Sequence, residues 1–314
     1  MRGERGFALV ITLIVTALLV ALLVEFVNEV YVDTSHSHNF VASQQAGILA
    51  ESGVAGGIKL LQVSNALRLG EQYSSLLEPW ATPRTFDSGA GSVSISIEEE
   101  SGKLNLNTAT TDQGTTNAST EMAVRLFNRL KLSSELADAL MDWVDVNDTP
   151  LPGGAETTYY SSLKLPYAAK NKRLETVGEL ALLKGFTPAV LTKLRPCITV
   201  YGSTGFDTES ATKININTAD KDVIAALDEK LTDDLVERIL DYRKIRPIKN
   251  IGDLNSIPGL DAISMNLSLR IGYIGNVYRI HAEGRVGESV SRAEAVVRTA
   301  GGQEPPVVLY WREY

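Results

Sequence analysis

From Phe7 to Val24 the chain reads FALVITLIVTALLVALLV, 18 positions with no charge and only Thr12 and Thr16 polar. As a helix rising about 1.5 Å per residue this run covers about 27 Å, enough to cross the hydrocarbon of a bilayer. Polarity resumes at Glu25, but helical periodicity continues. Phe40, Val41, Ile48, Leu49, Val54, Ile58 and Leu61 recur near every 3.6 residues, which predicts helix from about Glu29 to Leu69. Gly53, Gly56 and Gly57 fall inside it. Each weakens a helix by about 1 kcal/mol relative to Ala. They are best explained by a sheet lying close against that side, with a break in the helix as the alternative.

Strand patterns flank a long helical stretch. Ser92 to Ile97 alternates strictly as SVSISI. Strand character returns at Tyr278 to Val286 and Glu288 to Val297, with Gly287 in the hairpin between them. A last strand is predicted at Val307 to Trp311, after Pro305 and Pro306. The expected fold class is therefore α+β: a long N-terminal helix packed on a small antiparallel sheet, with a large all-α domain inserted between strands. The corresponding boundaries are 1–6 for a leader and 7–28 for the membrane helix. The helix continuation and first strand take 29–103, the insert 104–275 and the closing strands 276–314.

The insert contains a repeat. Leu104-Asn-Leu-Asn-Thr-Ala109 matches Ile214-Asn-Ile-Asn-Thr-Ala219, Met141-Asp-Trp143 matches Leu240-Asp-Tyr242, and Val177-Gly-Glu-Leu180 matches Ile251-Gly-Asp-Leu254. Two copies follow, 104–200 and 213–272, each expected to open with an Asx-Thr turn that caps a helix. Between the second and third landmarks the first copy holds 25 extra residues.

The repeat resembles helix-hairpin-helix or SAM-like domains, including those of a membrane-anchored DNA receptor. Such domains hold phosphate on backbone N–H groups of a Gly-x-Gly hairpin. The matching segment here, Asp228-Glu-Lys-Leu-Thr232, has no glycine and two acids. From Lys213 to Gly272 nine Lys/Arg face ten Asp/Glu, and the whole chain carries a net charge of −8. Nucleic acid is thus an unfavoured partner. One cysteine, Cys197, and three histidines exclude a disulfide framework and a Cys-rich zinc centre. Cys197 is expected to be buried and inert, and His36 and His38 to be surface residues. No nucleophile motif, Walker loop or dinucleotide fingerprint occurs, so no catalytic residue is assigned.

The 25 extra residues bring unusual chemistry. Asp142, Asp145, Asn147, Asp148 and Glu156 lie within fifteen positions, with no Lys or Arg between Asp142 and Glu156. Pro150, Pro152, Gly153 and Gly154 form a turn that would return Glu156 to the aspartates. Oxygen ligands on such a loop suit Ca²⁺, which takes 6–8 oxygens, better than Mg²⁺. A solvated acidic loop is the alternative on spacing alone. The EF-hand spacing is absent.

The N-terminus adds a further signal. MRGERG, with Arg2 and Arg5, precedes the apolar run, and no Ala-x-Ala cleavage pattern follows it. A charged leader ending in Gly6, then Phe7 opening the helix, resembles the prepilin signal of type IV pilins and pseudopilins. The resemblance implies cleavage between Gly6 and Phe7 and methylation of the new Phe7 amine. Most pilins carry Glu as the fifth mature residue. Ile11 stands there, which in that family marks a subunit with no neighbour on one side, at a filament tip.

With the large insert, the acidic stretch and the Val307-Val-Leu-Tyr-Trp-Arg-Glu313 ending, the chain resembles the K-type minor pseudopilins of bacterial type II secretion systems. That resemblance implies calcium in the acidic insertion. It also implies a noncatalytic subunit at the pseudopilus tip that starts assembly together with the I and J types. Further implied partners are the prepilin peptidase and the inner-membrane secretion platform. The implied location is the inner membrane, with a cytoplasmic N-terminus and a periplasmic body. The alternatives are the DNA receptor and a minor pilin of a type IV pilus.

Overall fold

The structure, a computed structural model, describes residues 4–68, 70–111, 114–202, 213–299 and 305–314, with side chains from Phe7 onward. Met1 to Gly3 of the leader, and Leu69 at the expected helix end, lie outside the described residues.

One continuous helix, α1 (Glu4–Leu67), carries both the membrane run and its extension. From Phe7 to Val41 it stands free, with large apolar side chains exposed. From Ala42 on, one side is buried. The buried positions are Ala42, Ala46, Ala50, Gly53, Val54, Gly57, Leu61 and Ser64, mostly small. Of the apolar positions whose recurrence predicts this helix, Val54 and Leu61 are buried, Leu49 and Ile58 are only partly covered, and Phe40, Val41 and Ile48 are exposed, so the buried side is shifted from that row. The glycines explain this shift. A Cβ on Gly53 would lie 2.7 Å from Val93 Cγ2 and 2.8 Å from Ala282 Cβ, and one on Gly57 would lie 2.7 Å from Ile280 Cγ2. The sheet sits so near that only small residues fit between, so α1 meets it along an Ala/Gly face, as the glycines predicted.

That sheet has five antiparallel strands in the order β1-β2-β7-β8-β9. The first two are β1 (Arg84–Asp87) and β2 (Ser92–Glu99), and two-residue strands β3 to β6 belong to the insert. The last three are β7 (Val277–Val286), β8 (Ser289–Arg298) and β9 (Val307–Glu313). Alternate residues Val93, Ile95, Ile97, Tyr278, Ile280, Ala282, Ala293, Ala295 and Val297 form the apolar face against α1, with Trp80 edge-on to Tyr278 at 5.3 Å. Strand β1 was not legible in the sequence. All four of its residues are exposed, so burial imposes no alternation on them. Strand β9 runs two residues past its expected end.

Replacing Gly57 by Val should therefore cost about 1–3 kcal/mol, the usual penalty of overfilling a packed interface. A urea midpoint unchanged from the unmodified chain would contradict the close helix–sheet contact.

The insert contains α2 (Ala118–Arg129), α3 (Glu135–Val144), α4 (Thr157–Ser161), α5 (Pro188–Leu194), α6 (Lys221–Ala226), α7 (Asp233–Ile245), α8 (Ile251–Asn255) and α9 (Ser264–Ser268). It is not purely helical as expected. In the first unit β3 (Leu104–Asn105) pairs in parallel with β4 (Ile198–Thr199). In the second, β5 (Ile214–Asn215) pairs in parallel with β6 (Ile271–Gly272). Each ladder joins the two ends of one unit. The repeated Asn-x-Asn-Thr motif completes this closure rather than capping a helix. Asn107 Nδ2 donates to Leu174 O and Val200 O, and its Oδ1 accepts from Leu174 N. Asn217 Nδ2 donates to Ile248 O and Tyr273 O, and its Oδ1 accepts from Ile248 N. The helix caps fall later, on Asn117 and Asp220.

Two successive glutamates at the end of the sheet tie it to both units. Glu100 accepts from Thr199 of the first unit and from Arg279 of β7, and pairs with Lys103. Glu99 accepts from Asn215 Nδ2 of the second unit, at 3.0 Å to both oxygens, and from Ser74 Oγ.

Candidate metal centre at the acidic insertion

The last turn of α3 supplies the first two acids. Asp138, Asp142 and Asp145 are spaced by four and three, which places them on one side of the helix. Asp142 and Asp145 also stand at its C-terminal end, where the helix dipole disfavours negative charge. Beyond Asp145 the loop winds on its own polar groups. Asn147 N donates to Asp145 Oδ1 at 3.1 Å, and Thr149 N to Asn147 Oδ1 at 2.8 Å. Leu151 N then donates to both oxygens of Asp142, at 3.2 and 3.1 Å, and Gly153 N to Asp138 Oδ2 at 3.0 Å. The Gly153-Gly154 turn packs directly on α3, and a Cβ at Gly154 would overlap Asp142 Oδ2. This returns the chain to Glu156, the N-cap of α4, whose side chain does not cap that helix.

Carboxylate oxygens of Asp142, Asp145 and Glu156 all come within 4.8 Å of one another. The three residues are 0%, 1% and 2% exposed, so water does not screen them. Both Glu156 oxygens are buried without a hydrogen-bond partner among the described residues. Burial, and then the charges of Asp142, Asp145 and Asp148, push the Glu156 carboxyl up to about 7. Burial also lifts Asp142 above the usual carboxylate range, although the Leu151 N–H opposes it, and lifts Asp145 likewise. Three buried acids with one pair of oxygens unsatisfied form an incomplete arrangement. A hard divalent cation with an oxygen shell fits it. Asp142, Asp145 and Glu156 would hold the ion, which would supply the positive charge this group of acids lacks.

The structure does not bring all five candidates together. Asn147 and Asp148 are exposed at the rim. The Asn147 amide oxygen is committed to Thr149, and Asp148 Oδ1 accepts from Thr157 N at 3.3 Å. Two supporting residues were missed from sequence, Asp138 and Lys184. The spacing of Asp138 ahead of Asp142 and Asp145 could have flagged the first. Nothing local marks the second, which lies 28 residues past Glu156. Elsewhere, Gly6 lies within α1, Phe7 and Ile11 project from it with 69% and 44% exposure, and Cys197 is buried, its thiol raised by that burial.

Two family models, both described as type II secretion system (T2SS), protein K, match residues 102–203 and 214–270, together just over half of the chain. The chain belongs to the protein K family of type II secretion systems. Members of this family are minor pseudopilins, which sets aside the DNA-receptor and type IV pilus alternatives. Type II secretion system protein K of Pseudomonas aeruginosa is 29% identical over 287 residues, covering 86% of this chain and 82% of that one. The Klebsiella pneumoniae protein of the same description is 30% identical over 161 residues, and the chain spans about half of its length (48%). The fold matches a chain in the crystal structure of the GspK-GspI-GspJ complex from enterotoxigenic Escherichia coli. The TM-score is 0.67 at 19% identity, over 91% of this chain and 99% of that chain. Within the protein K family, then, the acidic loop belongs to the first matched segment and lies outside the second.

Proposed function

We propose that the chain is a noncatalytic subunit at the tip of a type II secretion pseudopilus, where it starts assembly with minor pseudopilins of the I and J types. The observation that carries this reading is the bare apolar first part of α1, with Ile11 where filament-forming pilins place an acid. A glutamate in hydrocarbon needs a partner amine from the next subunit, whereas Ile11 needs none. The wide insert beside the helix also suits a tip better than a repeating position in a thin fibre. In this reading Arg2 and Arg5 hold the N-terminus in the cytoplasm and the body stands in the periplasm. Prepilin peptidase cuts between Gly6 and Phe7, and the inner-membrane platform receives the product. Asp142, Asp145 and Glu156 hold Ca²⁺, which stiffens the loop joining α3 to α4.

Mass spectrometry of the chain extracted from membranes tests the processing step. A mature protein beginning at N-methylated Phe7 is expected, and Gly6→Val should leave residues 1–6 attached. Met1 retained in the unmodified protein, or a start beyond Val24, would overturn the reading.

A further inference from the structure

Glu156 owes its place beside the aspartates to its backbone, because its carboxylate has no hydrogen-bond partner among the described residues. One residue holds both flanks of that segment, the earlier through backbone carbonyls and the later through tyrosine side chains. Lys184 follows the turn at Val177–Leu182 and precedes Gly185, which has φ +84°. Its Nζ donates to Gly153 O at 3.2 Å and to Gly154 O at 2.9 Å. Its backbone N–H donates to the Tyr160 hydroxyl at 3.2 Å, and its ammonium stands 5.5 Å from the centre of the Tyr159 ring. The two carbonyls lie three and two residues before Glu156, and the two tyrosines three and four after it. Asp138 and Asp142 fasten the earlier flank to α3. Lys184 spans both flanks.

We propose that Lys184 is a positioning residue that presets Glu156 to complete a divalent-cation site with Asp142 and Asp145. This rests on the cation reading above. The effect is geometric: the hydrogen bonds of Lys184 run to the Gly153 and Gly154 carbonyls and the Tyr160 hydroxyl, and so act on the placing of the segment that carries Glu156. With both flanks tied, the ion meets a ligand already in place. With the tie cut, part of the binding energy goes into ordering the Gly153–Tyr160 segment. Sequence spacing hides this role, because the lysine comes from the far side of the insertion and bonds only to backbone, hydroxyl and ring.

The test is calcium titration of the detergent-solubilised full chain by calorimetry, with terbium luminescence as a second readout. Lys184→Met keeps an unbranched stem and the backbone N–H to Tyr160, and loses the Nζ donors to Gly153 and Gly154. It should weaken calcium about tenfold or more, and its melting temperature in chelator should stay near that of the unmodified chain. Lys184→Arg can still reach two carbonyls and should bind within about threefold of the original. Unchanged affinity in K184M would overturn the proposal. So would an equal loss of melting temperature in calcium and in chelator, the mark of a merely structural residue. If K184M does not fold, Tyr160→Phe removes the other anchor and should weaken calcium several-fold, and unchanged affinity there overturns the proposal too. Failure of the unmodified chain to bind calcium is a separate result: it withdraws the cation reading before any variant is compared.

Discussion

Chelation of calcium from the purified chain should lower its melting temperature by about 5–10 °C relative to millimolar calcium. The size follows from linkage. An ion present at about a hundred times its dissociation constant stabilises the folded state by about 2.7 kcal/mol, and each kcal/mol moves the midpoint of a domain this large by about 2–4 °C. The direction follows from the site, where Asp142, Asp145 and Glu156 are buried together and the Glu156 carboxylate has no hydrogen-bond partner among the described residues. Without an ion the carboxylates resist ionisation. With one, all three ionise at low cost. Glu156→Gln supplies the control: it removes a charge that the empty site tolerates poorly. The variant should melt at or above the original in chelator and gain little from calcium. Superimposable melting curves of the original chain in calcium and in chelator would remove the cation from the account.

The second large effect is expected at Glu99. This carboxylate is 5% exposed, and its burial pushes it up to about 7, although Asn215, Ser74 and Thr218, and the positive charge of Arg68, act in the opposite direction. Arg68 is itself bonded to Glu78, and the Tyr278 hydroxyl completes the surrounding titratable groups. The folded state therefore holds the Glu99 proton to a higher pH than the unfolded chain does, with its ordinary value of 4.5. The stability this gives is fully present below pH 4.5 and is lost as pH rises through 7. A shift of this size corresponds to about 3 kcal/mol between the two limits. Glu99→Gln mimics the protonated acid. It should flatten that part of the profile and leave the variant more stable than the original at pH 8. Parallel stability curves for the two proteins from pH 5 to 8 would contradict the description of this junction.

Some of this was legible from residues alone, for physical reasons. A membrane helix announces itself because eighteen uncharged residues leave few other solutions. The close helix–sheet contact was legible through glycines that weaken a helix unless a neighbour needs the room. Which side of α1 would be buried was not, because the small residues of the Ala/Gly face carry less hydrophobic signal than Phe40, Val41 and Ile48, which remain exposed. Strand β1 is an exposed edge and has no burial pattern to read. The two-residue ladders at Leu104 and Ile214 are too short for any periodicity, yet the repeated Asn-x-Asn-Thr marked their positions while hiding their purpose. The acidic trio was visible as a run without compensating cations. Its exclusion of Asn147 and Asp148 was not visible, since that depends on loop hydrogen bonds to Thr149 and Thr157. Lys184 and the Glu99–Asn215 contact join residues 31 and 116 positions from their partners, a distance no local pattern spans.

The central claim is that this chain works by assembling with other minor pseudopilins. Co-expression of the full chain with the I-type and J-type subunits of the same bacterium, followed by detergent extraction and size-exclusion chromatography with mass determination, tests it most directly. The account predicts one stable ternary complex with a single copy of each subunit. Elution of this chain alone, with the other two pairing without it, would contradict the account.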